Sequence, residues 1–370
     1  MSDLQSLHKH KLIVNLSNLL FKSTGISNYT KSLFPCLKDL NPTLLCSESC
    51  PEFHSYLIPN NLTSAQGTKG HFRRLIWTQF QLPRIYNLLQ SQLLFSPITE
   101  APLYSQCRSV VMVHDFIPLR FPKRFSPLTP YHRYYVPQVL NQAEHIICNS
   151  QSTARDIVKF CNIPSNKITP ILLAYDSKHF RPVMEETSHS ESLNPYFLYI
   201  GRHDPYKNIS RLISSFANLS SNQEYQLWLV GPSDQRYTPA LKKQVQELGI
   251  VDRVKFLDYV PYDDLPKIIR GAIALVFPSL WEGFGLPVLE AMACGTPVIT
   301  SNLSSLPEVA GDAAILIDPY KVEEITDAMQ AIANDSGLRS HLSQLGLARA
   351  KLFSWEKTGQ ATVEVLKRFM

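Results

Sequence analysis

The sequence predicts an α/β protein of two doubly wound domains, and three observations carry that prediction. Short apolar runs alternate with amphipathic helical stretches along the whole chain. Many of these runs are rich in Val and Ile, as strands buried on both faces of a parallel sheet are. One polar segment, residues 181–195 (RPVMEETSHSESLNP), interrupts the alternation near the midpoint. It is Ser- and Glu-rich and bracketed by prolines, which is linker composition. A length of 370 residues is long for one ordinary domain and comfortable for two.

Taken in order, the first half offers strands at residues 12–16, 110–114 and 145–148. The second half offers 196–200, 226–230, 254–257, 274–277, 297–300 and 314–317. Between these, 209–218, 239–248 and 322–333 carry helical periodicity and read as crossover helices. The domains are expected at 1–185 and 190–355, and two such domains leave a cleft between them, the usual place for a ligand.

Bulk properties exclude several classes. Hydrophobic residues make up 44% and charged residues 18%, so the chain can fill cores and is not a disordered polyelectrolyte. No apolar run reaches the roughly 20 residues of a membrane span. The start, MSDLQSLHKHK, runs into LIVNL with no small-residue cleavage site, so it reads poorly as a signal peptide and a cytoplasmic protein is expected. The seven cysteines are odd in number and scattered, with no second close pair beside Cys46 and Cys50, and read as reduced thiols. A net charge of +5 suits anionic ligands but is too weak and diffuse to argue for nucleic acid.

The most informative segment is VFPSLWEGFGLPVLEAMACGTPVITS. A buried strand ends at Pro278-Ser279 and is followed by Glu282, Gly283, Phe284 and Gly285. A helix then opens at Leu286-Pro287, with proline in its first turn. Glycines let backbone N–H groups approach a ligand, and a helix start presents free donors and a positive dipole end. That geometry suits a diphosphate. Glu290 lies inside the helix among Leu289, Ala291, Met292 and Ala293, so its charge needs a partner such as ribose hydroxyls. Upstream, Gly201-Arg202 ends a strand and Lys207-Asn208 leads into a helix. Arg offers a planar fork and Lys a compact charge, a pair able to neutralise a diphosphate leaving group.

The spacing of Glu282 and Glu290 resembles the E-x7-E signature of retaining glycosyltransferase family 4, on the glycosyltransferase-B fold of two Rossmann-like domains. The resemblance implies that Glu282 contacts the donor hexose, that Glu290 binds the ribose, and that Arg202 and Lys207 clamp the diphosphate. It extends to Phe256–Pro261, where Val260 and Pro261 would lie beside the nucleobase, and to Gly25, whose loop would close over phosphate or acceptor. His114, at a strand's C-terminal end, matches the histidine next to the transferred sugar. Asn149-Ser150 and Asp176 match landmarks near the hinge, although Leu173-Ala174-Tyr175 stands where the family has Asn-Gly, which leaves Asp176 without an assigned role. The closing helix, 356–370, is expected to return to the first domain, with Trp355 near the crossing.

The expected activity is transfer of a hexose from a nucleotide diphosphate sugar to a hydroxyl of a carbohydrate or lipid-linked sugar, with retention. UDP-glucose is the leading donor and GDP-mannose the alternative. No Asp-x-Asp element stands where a metal would bridge the diphosphate, so neither metal nor other cofactor is expected. Residues 69–94 mix basic and large apolar side chains and read either as a helix pair broken at Pro83 or as a peripheral contact to an anionic membrane, with Arg73 and Arg74 as the basic pair. Three competitors remain. A dehydrogenase is disfavoured because GFGLPV lacks a third glycine and lies late in the chain. A sugar-nucleotide epimerase and a nucleotide-sugar-binding module without turnover complete the set.

Overall fold

The computed structural model describes residues 11–19, 25–124, 126–182, 194–220 and 225–370. They form two compact units, Met1–Leu173 with Trp355–Met370, and Ala174–Ser354. The division falls at 173/174, ahead of the polar segment expected to mark it. Residues 174–180 are tied into the second unit, where His179 Nε2 donates to the Tyr262 carbonyl at 2.7 Å. Residues 183–193 of the expected linker lie outside the described residues.

The first unit is a seven-stranded sheet of β1 (Leu12–Asn15), β2 (Thr43–Cys46), β3 (His54–Leu57), β4 (Leu93–Ser96), β5 (Ser109–Val113), β6 (His145–Cys148) and β7 (Ile168–Pro170). The order is β3-β2-β1-β4-β5-β6-β7, and each adjacent pair is parallel. Four strands were not expected from sequence. β4 follows a helix within a few residues, so its Leu-Leu-Phe reads as helical periodicity. β3 and β7 are edge strands, where a half-exposed face and a terminal proline are tolerated. β2 is a fully buried four-residue strand like β6, and the sequence reading passed over it. The helix Trp355–Phe369 belongs to this unit, with Thr358 Oγ1 donating to the Leu172 carbonyl at 2.8 Å and Phe369 stacked on His145 at 5.2 Å.

Residues 67–88 form two helices, Gly67–Phe80 and Leu82–Leu88, with Pro83 in the first turn of the second. Arg74 corrects the sequence reading of a basic surface pair. It is 4% exposed and bonds Glu100 through Nε and Nη2, both at 2.7 Å, and the Leu62 carbonyl through Nη1 at 3.2 Å. A buried guanidinium must be paired, and Tyr131 adds a bond to the Thr99 carbonyl beside it. Arg73 stays exposed, as do Lys69, Phe72, Ile76 and Phe80. No described helix is long and apolar enough to cross a membrane.

The second unit holds β8 (Tyr196–Ile200), β9 (Gln226–Val230), β10 (Val254–Leu257), β11 (Ala274–Phe277), β12 (Val298–Ser301) and β13 (Ile315–Ile317). The order is β10-β9-β8-β11-β12-β13, again with parallel neighbours. β8 sits between β9 and β11, so the winding direction reverses beside it. In open α/β sheets that reversal point, at the carboxyl ends of the strands, is where ligands bind.

Candidate active site

Of the sequence-selected residues of the second unit, Gly201, Arg202 and Lys207 follow the carboxyl end of β8 and Glu282–Gly285 that of β11, whereas Val260 and Pro261 follow β10. β11 is fully buried and delivers Pro278 and Ser279 into a loop whose residues 282–285 are all buried. Gly285 ends that loop at φ 110, a conformation that favours glycine, and a Cβ there would stand 2.7 Å from Leu306 Cδ2. The helix Leu286–Ala293 starts directly after it.

Glu282 and Lys207 meet across the reversal point. Lys207 Nζ lies 2.6 Å from Glu282 Oε1, with the side chains only 13% and 11% exposed. The ammonium is also 5.2 Å from the Phe277 ring centre and 5.4 Å from that of Tyr206, within cation–π range. The neighbouring Asn208 anchors this end of β8. Held at φ 63, its Nδ2 donates to the carbonyls of Pro278 at 3.1 Å and Pro319 at 2.6 Å. Arg202 is exposed and pairs with Asp204 at 3.2 Å. Its carbonyl accepts from the buried Tyr199 hydroxyl at 2.9 Å, which fixes the backbone beside Gly201. The close approach of β8 and β9 here depends on Gly231, where a Cβ would fall 2.0 Å from the Gly201 oxygen.

Glu290 is half-buried on the helix, and its carboxyl is pushed up to about 7 by loss of hydration and then by the nearby Asp176 charge. Asp176 was left without a role in the sequence reading. It accepts the Lys178 and His179 amides at 3.0 and 3.3 Å and acts on both Glu290 and Tyr262. His179 stacks on Tyr262 with ring centres 4.0 Å apart. His179 and Tyr262 were not selected from sequence, and no spacing in the chain signals them, because they meet only through the fold. Val260 and Pro261 lie on the loop after β10, next to the turn that carries Tyr262. Phe284 belongs to the same loop as Glu282. Its side chain is 4% exposed and packs edge-on against Phe353 at 6.2 Å, so only its backbone is left to serve a ligand.

In the first unit His114 follows β5 directly, and its Nε2 donates to the Pro97 carbonyl at 2.9 Å. Burial pushes its pKa down, against the opposing effects of that bond and of Asp115. The ring is therefore neutral at neutral pH, with Nδ1 as its acceptor atom. Tyr29 meets it edge-on at 5.2 Å, and Asn149 Nδ2 donates to its backbone carbonyl at 2.9 Å. Asn149 is thus explained as a support for His114, and Ser150 as the N-cap of the helix Gln151–Cys161. Gly25 opens the helix Gly25–Leu33, while residues 20–24 of its loop lie outside the described residues.

A compact cation against a carboxylate, a second carboxylate one helix turn further in, and a helix start between them suit an anionic ligand that also carries hydroxyls. Residues 183–348 match the family model for glycosyl transferases group 1, and residues 24–178 match that for glycosyltransferase family 4. The chain is 32% identical over 270 residues to the O-antigen chain mannosyltransferase B of Escherichia coli, covering 70% of each chain. It is 28% identical over 346 residues to the O-antigen chain mannosyltransferase RfbU of Salmonella typhimurium, covering 87% of this chain and 94% of that one. Among solved structures, sucrose-phosphate synthase from Thermosynechococcus elongatus superposes with a TM-score of 0.76 at 20% identity, over 97% and 98% of the two chains. The chain belongs to the family 4 type of glycosyltransferases, on the glycosyltransferase-B fold.

Proposed function

We propose that this glycosyltransferase moves a mannosyl residue from GDP-mannose to a saccharide hydroxyl during assembly of a surface polysaccharide, with retention at the anomeric carbon. The observation that carries the reading is the Lys207–Glu282 pair at the sheet's reversal point, a cation for the diphosphate beside a carboxylate for the hexose. Mannose takes precedence over the glucose expectation because relatives covering most of the chain are named mannosyltransferases.

In this reading Lys207, Arg202 and the helix start after Gly285 neutralise the diphosphate as it departs. Glu290 accepts ribose hydroxyls, and the backbone at Val260 and Pro261 borders the base. Glu282 orients the hexose, and His114 keeps the role in sugar contact that the resemblance implies. The C1–O bond to phosphate breaks while the acceptor oxygen bonds C1 from the same face. The acceptor proton passes to the departing phosphate oxygen, so the protein supplies position and charge and no nucleophile. No divalent metal is required. The acceptor is a sugar chain on a lipid carrier, reached with the exposed face of Phe72, Ile76 and Phe80 resting on an anionic membrane beside Lys69 and Arg73.

The deciding experiment is a thermal-shift series with GDP, UDP, ADP and their sugar conjugates, followed by label transfer from GDP-mannose to a mannose-terminated oligosaccharide. A ligand specific to the folded state raises the melting temperature by mass action. Stabilisation by UDP species alone overturns the mannose reading, and stabilisation by no nucleotide overturns the transferase reading.

A further inference from the structure

The loop that carries Glu282 is held by three consecutive residues to which the roles above give no part. Ser304 Oγ accepts the Glu282 amide N–H at 3.0 Å. The fully buried Ser305 donates its hydroxyl to the Phe284 carbonyl at 2.7 Å, with the Glu282 carbonyl 3.1 Å away. Leu306 fills the space that a side chain on Gly285 would need. The peptide groups on both sides of Glu282 are therefore pinned, while its carboxylate engages Lys207 at 2.6 Å.

Ser304 makes its bond from an unusual backbone. Its φ is 57, a left-handed conformation that few non-glycine residues adopt and that glycine would take without strain. A serine kept in that conformation points to a use for its hydroxyl, the direction in which an observed backbone outlier can be read.

We infer that Ser304, assisted by Ser305, is a positioning residue that sets where Glu282 stands against Lys207 and so aligns the sugar end of the donor; the claim rests on the transferase reading above. Misplacement of an orienting group by about 1 Å can cost as much as 100-fold in rate, whereas the part of the donor beyond the sugar is held by other residues.

The test compares wild type with Ser304→Gly, which removes the hydroxyl and the backbone strain together, in the full chain. The variant should melt no lower than wild type and bind GDP alone within about twofold, because GDP lacks the sugar that Glu282 would hold. Its kcat for mannosyl transfer should fall roughly tenfold. Amide hydrogen exchange at residues 282–285 should rise about fivefold, as expected for loss of one hydrogen bond, with the rest of 174–354 unchanged. Ser305→Ala should show the same split between GDP affinity and kcat. Wild-type exchange at Glu282 together with wild-type kcat in Ser304→Gly overturns the inference. So does a parallel loss of melting temperature, GDP affinity and kcat, which would make the serine structural only. A wild-type protein that binds no nucleotide refutes the transferase reading instead, and the exchange measurement still decides the positioning claim.

Discussion

Replacing Glu290 by Gln removes an ionisable group whose folded-state value, about 7, lies above its ordinary 4.5. Between those two values the folded protein holds a proton that the unfolded chain has released. Stability therefore falls as pH rises from about 4.5 to about 7 and is flat beyond. The separation of 2.5, at about 1.36 kcal/mol for each pH unit, sets a ceiling near 3 kcal/mol, lower to the extent that water reaches the half-buried carboxylate. About 2 kcal/mol of that ceiling is lost between pH 5.5 and pH 8. Gln keeps the shape and has no charge to bury, so its stability should not carry this slope. For a unit of this size about 2 kcal/mol corresponds to roughly 4–8 °C in melting temperature. The assay is a melting series of both full-length proteins from pH 5.5 to pH 8, with and without GDP. The gap between variant and wild type should widen by up to that amount as pH rises. Saturating GDP should narrow the wild-type slope, since ribose hydroxyls would solvate the ionised carboxylate, and Gln should weaken GDP binding by about tenfold. Parallel melting curves across the range would refute the argument that Glu290 is held protonated by its surroundings.

Four further outcomes follow from the same geometry. Glu282→Ala should lower transfer at least 100-fold, and transfer assays that return near-normal rates would remove Glu282 from the mechanism. Glu100→Gln leaves the Arg74 guanidinium buried without its countercharge and should cost about 3–5 kcal/mol, read as a drop in the denaturant midpoint of the first unit; an unchanged midpoint would mean that the pair contributes nothing. Chelation with EDTA should leave transfer unchanged, and loss of activity restored by a divalent cation would overturn the metal-free proposal. Co-sedimentation with anionic vesicles should fall several-fold in Lys69→Glu/Arg73→Glu and in Phe72→Ser/Phe80→Ser, both of which alter exposed side chains; equal binding by wild type and variants would sink the membrane proposal.

The sequence by itself determined the α/β class, the strands of the second unit with β1, β5 and β6 of the first, and the loop and helix from Glu282 to Glu290. Those features are local. A buried strand such as 274–277 announces itself by a continuous apolar run, and the loop and helix from Glu282 to Glu290 occupy one continuous stretch. β4 was hidden because its apolar residues follow a helix of matching periodicity. Arg73 and Arg74 look alike in sequence, yet helix geometry turns one outward and the other onto Glu100, 26 residues away. The tertiary structure alone decided the pairing of Lys207 with Glu282, 75 residues apart, and the placing of Asp176 and Tyr262 near Glu290, with His179 stacked on Tyr262. It also decided that Ser304 and Ser305 hold the Glu282 loop. Spacing along a chain records what one strand or helix can present, whereas partners of a buried charge are chosen by which strands become neighbours in the sheet.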